Sequence, residues 1–492
     1  LRKGAYETSS TVFHRVVYKN NTVTSPKEWK ALLSCAYVWF DWFSQPQPSA
    51  DMDSRIRSSS SSNKDGRTTP TQEDLLQEED ESVSALSKEL KLAIRTMPVY
   101  VERSDCLLIL TPGSVHSSRV SERTRRKMNT CYRTWRSRAF CVLELFCSFL
   151  SKYKTHPNLL VDSATDRPHW LSVMDSIRLS VGQARFTCCD NNHVNLWGRP
   201  VSCDRIIARD VLTSMCMSKV EYLYKCNLFV MARLFFCLCE FWCRGLGESK
   251  HVVHQDFREM LRWQDDLDDD FYDRSLVSIL VYAVLANNVK MTKQICERID
   301  KIYPVKEDEM RIQLLESRIP SHGPVAKQVQ RLGMRPGINT LHFAMFFSST
   351  EIVKLLLSYG VNPKSLSIPD SLDAVICASI SGNVECLKYF LKQYPNWDMN
   401  RQLKMTGAKA LHCAVLLGAN KLDVVKLLIE NGASPDVLSN SGSSVLTNAV
   451  ENVDSGPDLI EYILKRVSKN RGVHYRQAAK TTKFQVAMKL SV

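Results

Sequence analysis

The stretch Leu341-His342-Phe343-Ala344 decides the fold of this chain, because similar strings follow it at nearly constant intervals. The later strings are Val375-Ile376-Cys377-Ala378, Leu411-His412-Cys413-Ala414 and Leu446-Thr447-Asn448-Ala449, so successive alanines lie 34, 36 and 35 residues apart. A fixed period of this length is the signature of a repeat array, in which each unit packs on its neighbours. The sequence therefore predicts a helical solenoid in the carboxy-terminal third.

A second apolar helix is predicted after each alanine. Each of these helices begins with an acidic residue, which stabilises a helix amino terminus: Glu351, Glu385, Asp423 and Asp458. Two short helices cannot bury their apolar faces alone, so neighbouring units must cover them. An earlier unit around Ala283 fits the pattern, but 61 residues separate it from Ala344, which predicts an insertion at 301–337.

These units closely resemble ankyrin repeats, including the glycine and proline that end helices at 359–363 and 431–435. The pattern departs from the family where Val375-Ile376 replaces the usual Leu-His pair and where two extra residues follow Gly418. The resemblance implies that variable positions near the end of each first helix contact a protein partner. The candidate partner-binding residues are Leu285, Phe346, Phe347, Ile380, Leu416 and Leu417.

These apolar positions leave two interpretations open. Exposed together, they would form a patch of the kind that marks an interface. Alternatively, the insertion or the amino-terminal domain covers them within the chain.

The amino-terminal half alternates predicted helices and strands, which favours a parallel sheet covered by helices. The predicted elements are a helix at 25–33, a buried strand at 36–41, a helix at 83–97 ended by Pro98, a buried strand at 106–110 and a helix at 139–151.

The order of these elements resembles Toll/interleukin-1 receptor-like (TIR-like) domains. Cys141-Val142-Leu143-Glu144-Leu145 is similar to the family's Trp-Cys-x-x-Glu-Leu motif, although Trp135 is displaced from the cysteine. With the array, the chain also resembles ankyrin proteins of unicellular algae that carry such a module. The resemblance implies a flavodoxin-like sheet and a module that can self-associate.

Some TIR-like domains cleave the nicotinamide bond of NAD, and Glu144 would then be the catalytic carboxylate. A carboxylate beside the ribose stabilises an oxocarbenium-like transition state. An acid on an amphipathic helix is more often a solvated residue, so we favour an adaptor over an NAD hydrolase. The adaptor needs no cofactor, whereas NAD is the substrate in the alternative.

The whole chain is therefore predicted to be a multidomain α/β plus α protein. We expect a TIR-like module at 1–178 with a disordered insert at 49–71, a helical connector at 179–270, a first degenerate repeat at 271–300, the insertion at 301–337, further repeats at 338–470 and a basic tail at 471–492.

The net charge of +13 is concentrated at 119–138 and 465–489. No groove-reading motif accompanies these runs, so we expect a solvated loop and tail rather than nucleic-acid binding. Seventeen cysteines, an odd number, without a secretory signal indicate a reducing, intracellular and cytoplasmic location. The chain begins with Leu1 rather than Met, which leaves an upstream segment open.

Two further features are interpreted as structural. Cys188, Cys189, His193 and Cys203 lack paired Cys-x-x-Cys spacing, so buried structural cysteines are expected there and no metal. Leu228–Trp242 is interrupted by charges and too short to span a membrane, so it predicts a buried helix. Together, the observations favour a protein-binding scaffold or signalling adaptor.

Overall fold

The computed structural model shows an amino-terminal α/β region, a helical connector and a carboxy-terminal array of helix pairs. It describes residues 8–10, 23–33, 91–111, 115–116, 128–129, 132–153, 157–161, 168–171, 173–194, 200, 202–247, 277–320, 322–331, 337–368, 370–417, 421–452 and 455–467. The predicted strand at 36–41, the insert at 49–71 and the basic tail at 471–492 lie outside these residues.

Seven short strands are described in the amino-terminal region: β1 (Thr8–Ser10), β2 (Val23–Thr24), β3 (Leu107–Leu110), β4 (Val115–His116), β5 (Met128–Asn129), β6 (Asn158–Val161) and β7 (His169–Leu171). Five of them form one sheet in the order β2-β1-β7-β6-β3, and β4 pairs with β5 separately. The predicted strand at 106–110 is therefore present as β3.

The sheet is mixed, so the prediction of a parallel sheet is wrong for two of its four strand pairs. The β3–β6 and β1–β7 pairs are parallel, whereas β6–β7 and β1–β2 are antiparallel. The connection at 162–168 explains the β6–β7 pair, because parallel neighbours need a crossover of about a dozen residues or more. A helical crossover cannot fit there.

The strand β3 lies at one edge of the described sheet and is buried on one face only. Ile109 is 1% exposed, whereas Leu108 and Leu110 are 44% and 42% exposed. The prediction of a buried strand therefore holds for one face of β3 only. Ile109 joins a small core with Leu160 and Leu171.

The predicted helix after Ser25 is confirmed as α1 (Pro26–Leu33). Its start has a capping box: Ser25 N–H donates to Glu28 Oε2 at 2.7 Å, and Glu28 N–H donates to Ser25 Oγ at 3.3 Å. Trp29 stacks on Trp170 of β7 with 5.8 Å between ring centroids. The helix is thereby held against the sheet.

The next helix is described at 91–103 and is named α2. It continues past Pro98, so the prediction that this proline ends it is wrong. Met97 and Val101 are both buried, one turn apart on the same face. Burial of that face outweighs the loss of one backbone hydrogen bond at the proline.

Two helices follow, α3 (Tyr132–Arg136) and α4 (Ala139–Phe149), the second at the predicted position. Leu145 of α4 packs in the small core of the sheet. Phe146 and Phe149 pack in the large core that continues into the connector. The helix α4 therefore lies between the sheet and the connector.

The connector consists of α5 (Thr187–Asp190), α6 (Asp204–Lys225) and α7 (Phe229–Trp242). Trp242 is fully buried, its ring lies 5.6 to 5.7 Å from the rings of Phe146, Phe149 and Phe235, and its Nε1–H donates to Ile177 O at 3.0 Å. The prediction of a buried helix at α7 is confirmed. Within the described residues, no helix is long and apolar enough to cross a membrane.

Among the described residues, the carboxy-terminal third contains five helix pairs and two helices in the insertion. In chain order they are α8 (Ile279–Leu285), α9 (Val289–Ile302), α10 (Glu309–Leu315), α11 (Gly323–Arg331), α12 (Thr340–Phe347), α13 (Thr350–Ser358), α14 (Ala374–Ser381), α15 (Val384–Gln393), α16 (Ala410–Leu417), α17 (Lys421–Glu430), α18 (Val445–Glu451) and α19 (Pro457–Leu464).

The first helices of the five pairs stack in the order α8, α12, α14, α16, α18, as the period predicts. Ala283, Ala344, Ala378, Ala414 and Ala449 are all 0% exposed and belong to one continuous core. Small side chains at these positions allow close helix approach. The prediction of a stacked solenoid is confirmed.

The insertion helices tie the array to its surroundings. The helix α10 packs against α9, and α11 packs against α7 of the connector. Because α7 also packs on α8, the connector covers the amino-terminal end of the array.

Candidate protein-binding surface

The loops that precede the first helices are held by buried histidines in two repeats. Asn339 N–H donates to His342 Nδ1 at 3.3 Å, and His342 Nε2–H donates to Ser365 O at 3.1 Å. Burial and the nearby charge of Arg318 lower the pKa of His342 to about 3. The ring is therefore neutral and acts as a fixed bridge between consecutive loops.

His412 repeats this arrangement one unit further along. Lys409 N–H donates to His412 Nδ1 at 3.3 Å, and His412 Nε2–H donates to Ser443 O at 3.1 Å. Burial lowers the pKa of His412 to about 4, although the hydrogen bond to Ser443 acts in the opposite direction.

The repeat of α14, where Ile376 stands in place of the histidine, uses an aspartate instead. Asp373 caps α14 by accepting the Ile376 N–H at 2.8 Å, and its second oxygen accepts the Trp397 Nε1–H at 3.3 Å. Burial raises the pKa of Asp373 above its usual value despite these hydrogen bonds. The replacement of Leu-His by Val375-Ile376 is thus compensated locally.

Consecutive loops are also joined through their backbones. Ile368 N–H donates to Gly337 O at 3.3 Å, and Asn440 N–H donates to Thr406 O at 2.9 Å. Gly337 has φ +77°, and a Cβ there would lie 2.0 Å from Ile368 O, so only glycine fits. The loops therefore present their side chains from a fixed backbone.

Each of three successive loops exposes one large apolar side chain, and we name Ile368, Met405 and Leu438 the loop-tip residues. They are 57%, 68% and 41% exposed. They precede the repeated alanines Ala378, Ala414 and Ala449 by nearly the same interval. The array thus carries a row of apolar side chains that no packing within the described chain requires.

The sequence reasoning missed the loop-tip residues, although the signal was present. An apolar residue stands about ten positions before three of the repeated alanines.

The predicted partner-binding residues are placed differently. Leu285, Phe347 and Ile380 are 0%, 3% and 8% exposed, so they do not form part of an exposed patch in this structure. Phe346 and Leu416 are half-buried, and the side chain of Leu417 lies outside the described residues. Contact of any of the six with a partner stays a prediction.

The connector accounts for the burial of Phe347. The Phe241 ring of α7 meets the Phe347 ring edge-on at 5.1 Å between centroids, and the Arg244 guanidinium donates to Phe347 O. Phe347 is therefore covered within the chain, by the connector rather than by the insertion or the amino-terminal domain.

The insertion is fixed to the second repeat by Arg311, which is 4% exposed. Its guanidinium donates to Asp300 Oδ1 at 2.6 Å and to Tyr359 O at 2.8 Å. A buried arginine with both partners holds α10 of the insertion against the outer helices.

Glu144, the predicted catalytic residue, lies half-buried on α4. Burial raises the pKa of the neighbouring Cys147 thiol, and the charge of Glu144 raises it further. A cavity of about 410 Å³ lies beside α4, and Glu102, Lys152 and Asp210 are among its lining residues. Glu144 is not among them.

The described cysteines are free thiols, and those of α7, Cys237 and Cys239, are buried as expected. The structure also brings together four residues that the spacing argument set aside. The ligand atoms of Cys188, Cys189 and Cys203 and a ring nitrogen of His193 lie within 4.8 Å of one another.

Two thiols of this cluster differ in acidity. Burial raises the pKa of Cys188 to about 12. Burial also acts to raise the pKa of Cys189, but hydrogen bonds from Arg205 and the neighbouring cysteines lower it below its usual value.

Comparison with known proteins agrees with the architecture of the array. Residues 341–439 and 375–472 match the family described as "Ankyrin repeats (3 copies)". The carboxy-terminal region of this chain therefore contains ankyrin repeats.

A curated relative is the "Transient receptor potential channel pyrexia" of Drosophila melanogaster, which is 29% identical over 100 residues. The match covers 20% of this chain and 10% of the relative. The chain thus matches about a tenth of that protein's length. The likeness is limited to the repeats.

Proposed function

We propose that this protein is a protein-binding scaffold whose partner docks on the loop-tip residues of the ankyrin array. The observation that carries the proposal is the exposure of Ile368, Met405 and Leu438 at equivalent positions of successive loops. Exposed apolar side chains in a row are the usual anchors of a protein interface.

The rigidity of the loops supports binding at this surface. The histidine bridges and the backbone hydrogen bonds between loops fix the loop-tip residues before a partner arrives. Preorganised anchors lose little conformational entropy on binding. A partner with apolar side chains at matching intervals would fit them.

The amino-terminal region contributes a second part of the proposal. Its resemblance to TIR-like modules suggests a signalling adaptor that self-associates and is coupled to the array through the connector. The contacts of α7 support such coupling, because its rings pack on Phe146 and Phe149 of α4 and the same helix packs on α8. Hydrolysis of NAD at Glu144 remains the alternative from the same resemblance.

The test compares matched surface variants of the full chain. The double variant Ile368→Asp with Met405→Asp places charges at two loop-tip residues, and Met310→Asp places one at an exposed methionine of the insertion. Proteins captured from a cell extract by wild type are identified by mass spectrometry, purified and titrated against all three chains. We expect the double variant to bind at least about tenfold more weakly and Met310→Asp to bind like wild type.

A further variant separates the two candidate surfaces. Phe346→Asp with Leu416→Asp alters the half-buried ends of the first helices and leaves the loop-tip residues intact. Retained binding in the loop-tip variant with lost binding in this one would move the interface to the helix ends. Equal binding by all variants, each melting cooperatively like wild type, would refute docking on the array.

A further inference from the structure

Three sulfur atoms and one imidazole converge between α5 and the start of α6. Cys188 Sγ lies 3.9 Å from Cys189 Sγ, and Cys189 Sγ lies 3.8 Å from Cys203 Sγ. With a ring nitrogen of His193, all four ligand atoms are within 4.8 Å of one another. No other group of three or more such side chains converges elsewhere in the described parts of the chain.

The two sulfur–sulfur separations match edges of a tetrahedral zinc site. A zinc–sulfur bond of about 2.3 Å at tetrahedral angles requires sulfur atoms about 3.8 Å apart. Three thiolates and one imidazole are also a ligand set of structural zinc sites, and sulfur ligands disfavour magnesium and calcium.

The backbone between the ligands adopts a conformation that places them. Asn192 and His193 have φ +53° and +58°, which is uncommon for residues other than glycine. His193 N–H donates to Cys188 O at 2.7 Å, so the chain turns back over α5. The bridge between Val194 and Pro200 then returns the chain to Cys203, the residue that caps α6.

His193 provides an independent observation. Its Nδ1 is buried and has no hydrogen-bond partner among the residues that the structure describes. A buried polar atom without a partner is costly, and a metal ion would satisfy it.

Two hydrogen-bond donors point at sulfur atoms of the cluster. Asp204 N–H points at Cys188 Sγ at 3.3 Å, and Arg205 Nε–H points at Cys189 Sγ at 3.4 Å. Donors of this kind orient metal-bound thiolates and offset their charge. The amino terminus of the 22-residue helix α6 adds positive potential at Cys203.

We propose that Cys188, Cys189, His193 and Cys203 bind one structural zinc ion that holds α5 against the start of α6. The four ligands fill a tetrahedron, so the site keeps no open position for catalysis. Arg205 also donates to Gly182 O at 2.8 Å and to Gly245 O, which joins the zinc site to the end of the connector. Arg244, the residue before Gly245, contacts the array at Phe347.

The lack of paired Cys-x-x-Cys spacing was the reason to expect no metal, and Cys188 and Cys189 are adjacent in the chain. Two neighbouring cysteines on a regular helix point in different directions. Here α5 ends at Asp190, and the left-handed turn brings His193 and then Cys203 to the side where both sulfur atoms lie. Spacing along the chain therefore misjudged the geometry.

Metal analysis of the full chain tests the proposal. Protein is produced in zinc-supplemented medium, purified with a phosphine reductant and measured by plasma mass spectrometry. We expect one zinc per wild-type chain, loss of zinc in Cys189→Ser and Cys203→Ser, and full zinc in Cys226→Ser, which alters an exposed cysteine outside the cluster. Cobalt substitution should give the thiolate charge-transfer and intense visible bands of a tetrahedral site.

A second measurement uses wild-type protein, so it does not depend on variants that fold. Metal-free chain is alkylated with iodoacetamide with and without added zinc, and each cysteine is quantified by mass spectrometry. We expect zinc to slow the alkylation of Cys189 and Cys203 at least about tenfold and to leave Cys226 unchanged. Equal rates with and without zinc, or a zinc-free chain with a Cys189–Cys203 disulfide as its stable form, would overturn the proposal.

Discussion

The ankyrin array and the amino-terminal sheet differ in how far apart in sequence their contacting residues lie. In the array, His342 bonds to a residue 23 positions away and His412 to one 31 positions away. In the sheet, Ser9 pairs with His169 and Ser10 with Trp170. The comparison teaches that the array is held by interfaces between neighbours, whereas the other half depends on long-range contacts.

The largest expected effect tests this difference by truncating two buried side chains, each of which should destabilise the protein to a similar degree. Trp242→Ala removes the ring that joins α4, α7 and the 3₁₀ segment at Ile177, and Leu428→Ala removes a fully buried side chain of α17. Each should lower the free energy of unfolding by about 3 to 5 kcal/mol. In Trp242→Ala, the helices from α4 to α8 should lose protection against hydrogen exchange. In Leu428→Ala, only the last repeats should lose it.

The set of helices that lose hydrogen-exchange protection tests this difference, and the size of the loss does not. If Leu428→Ala weakened α4 as much as α18, the array would not behave as a chain of local interfaces. If Trp242→Ala affected α7 alone, the connector would not be the link between the two halves.

This difference also explains what could be predicted from the sequence. The period of Ala344, Ala378 and Ala414 reports contacts between neighbouring units, so the stacking followed directly from the spacing. Strand pairing between β1 and β7 leaves no such periodic signal, because any strand of suitable pattern could occupy that place. The helices α1 and α4 were found from local patterns, but the order and direction of the strands were not.

The candidate sites show the same limit. The burial of Phe347 depends on Phe241, which the chain brings in from another helix pair, so the first-helix rule could not reveal it. The loop-tip residue Met405 has a periodic signal and could have been found. The convergence of Cys189 and Cys203 depends on a left-handed turn at Asn192 that the residue spacing does not show.

A middle-sized effect follows from the neutral histidines of the array. Because burial lowers the pKa of His342 to about 3 and of His412 to about 4, the unfolded chain binds more protons below its own histidine pKa of about 6.5. Stability is therefore full above that pH and falls as the pH decreases. Between pH 6.5 and 5.5 each histidine should lower the free energy of unfolding by about 1 kcal/mol. Hydrogen exchange of array peptides over a series of urea concentrations measures this loss as a lower urea midpoint.

The variant His412→Gln is the matched control, because glutamine can still donate to Ser443 O but does not titrate. Over the same pH step, the free energy of unfolding should fall by about 1 kcal/mol less in this variant than in wild type. Among the described residues, buried histidines occur only in the array, so α4 and α7 should respond less. An unchanged pH dependence in His412→Gln would show that the ring is charged when folded.

The smallest expected effect concerns the amino-terminal half and separates adaptor from hydrolase. Glu144→Ala should leave nicotinamide release from NAD at the level of wild type, with no sustained turnover in either. The physical reason is position: Glu144 lies on a helix packed between the sheet and the connector and does not line the cavity beside it. Chromatographic assay of nicotinamide with purified full chain measures this.

Asp210→Ala provides the control for that assay, because Asp210 is a carboxylate that does line the cavity. Sustained release that disappears in Glu144→Ala and persists in Asp210→Ala would assign the chemistry to Glu144 and make the protein an NAD hydrolase. The array would then regulate a reaction instead of joining two proteins, and the long-range contacts of the amino-terminal half would serve to hold a carboxylate rather than an interface.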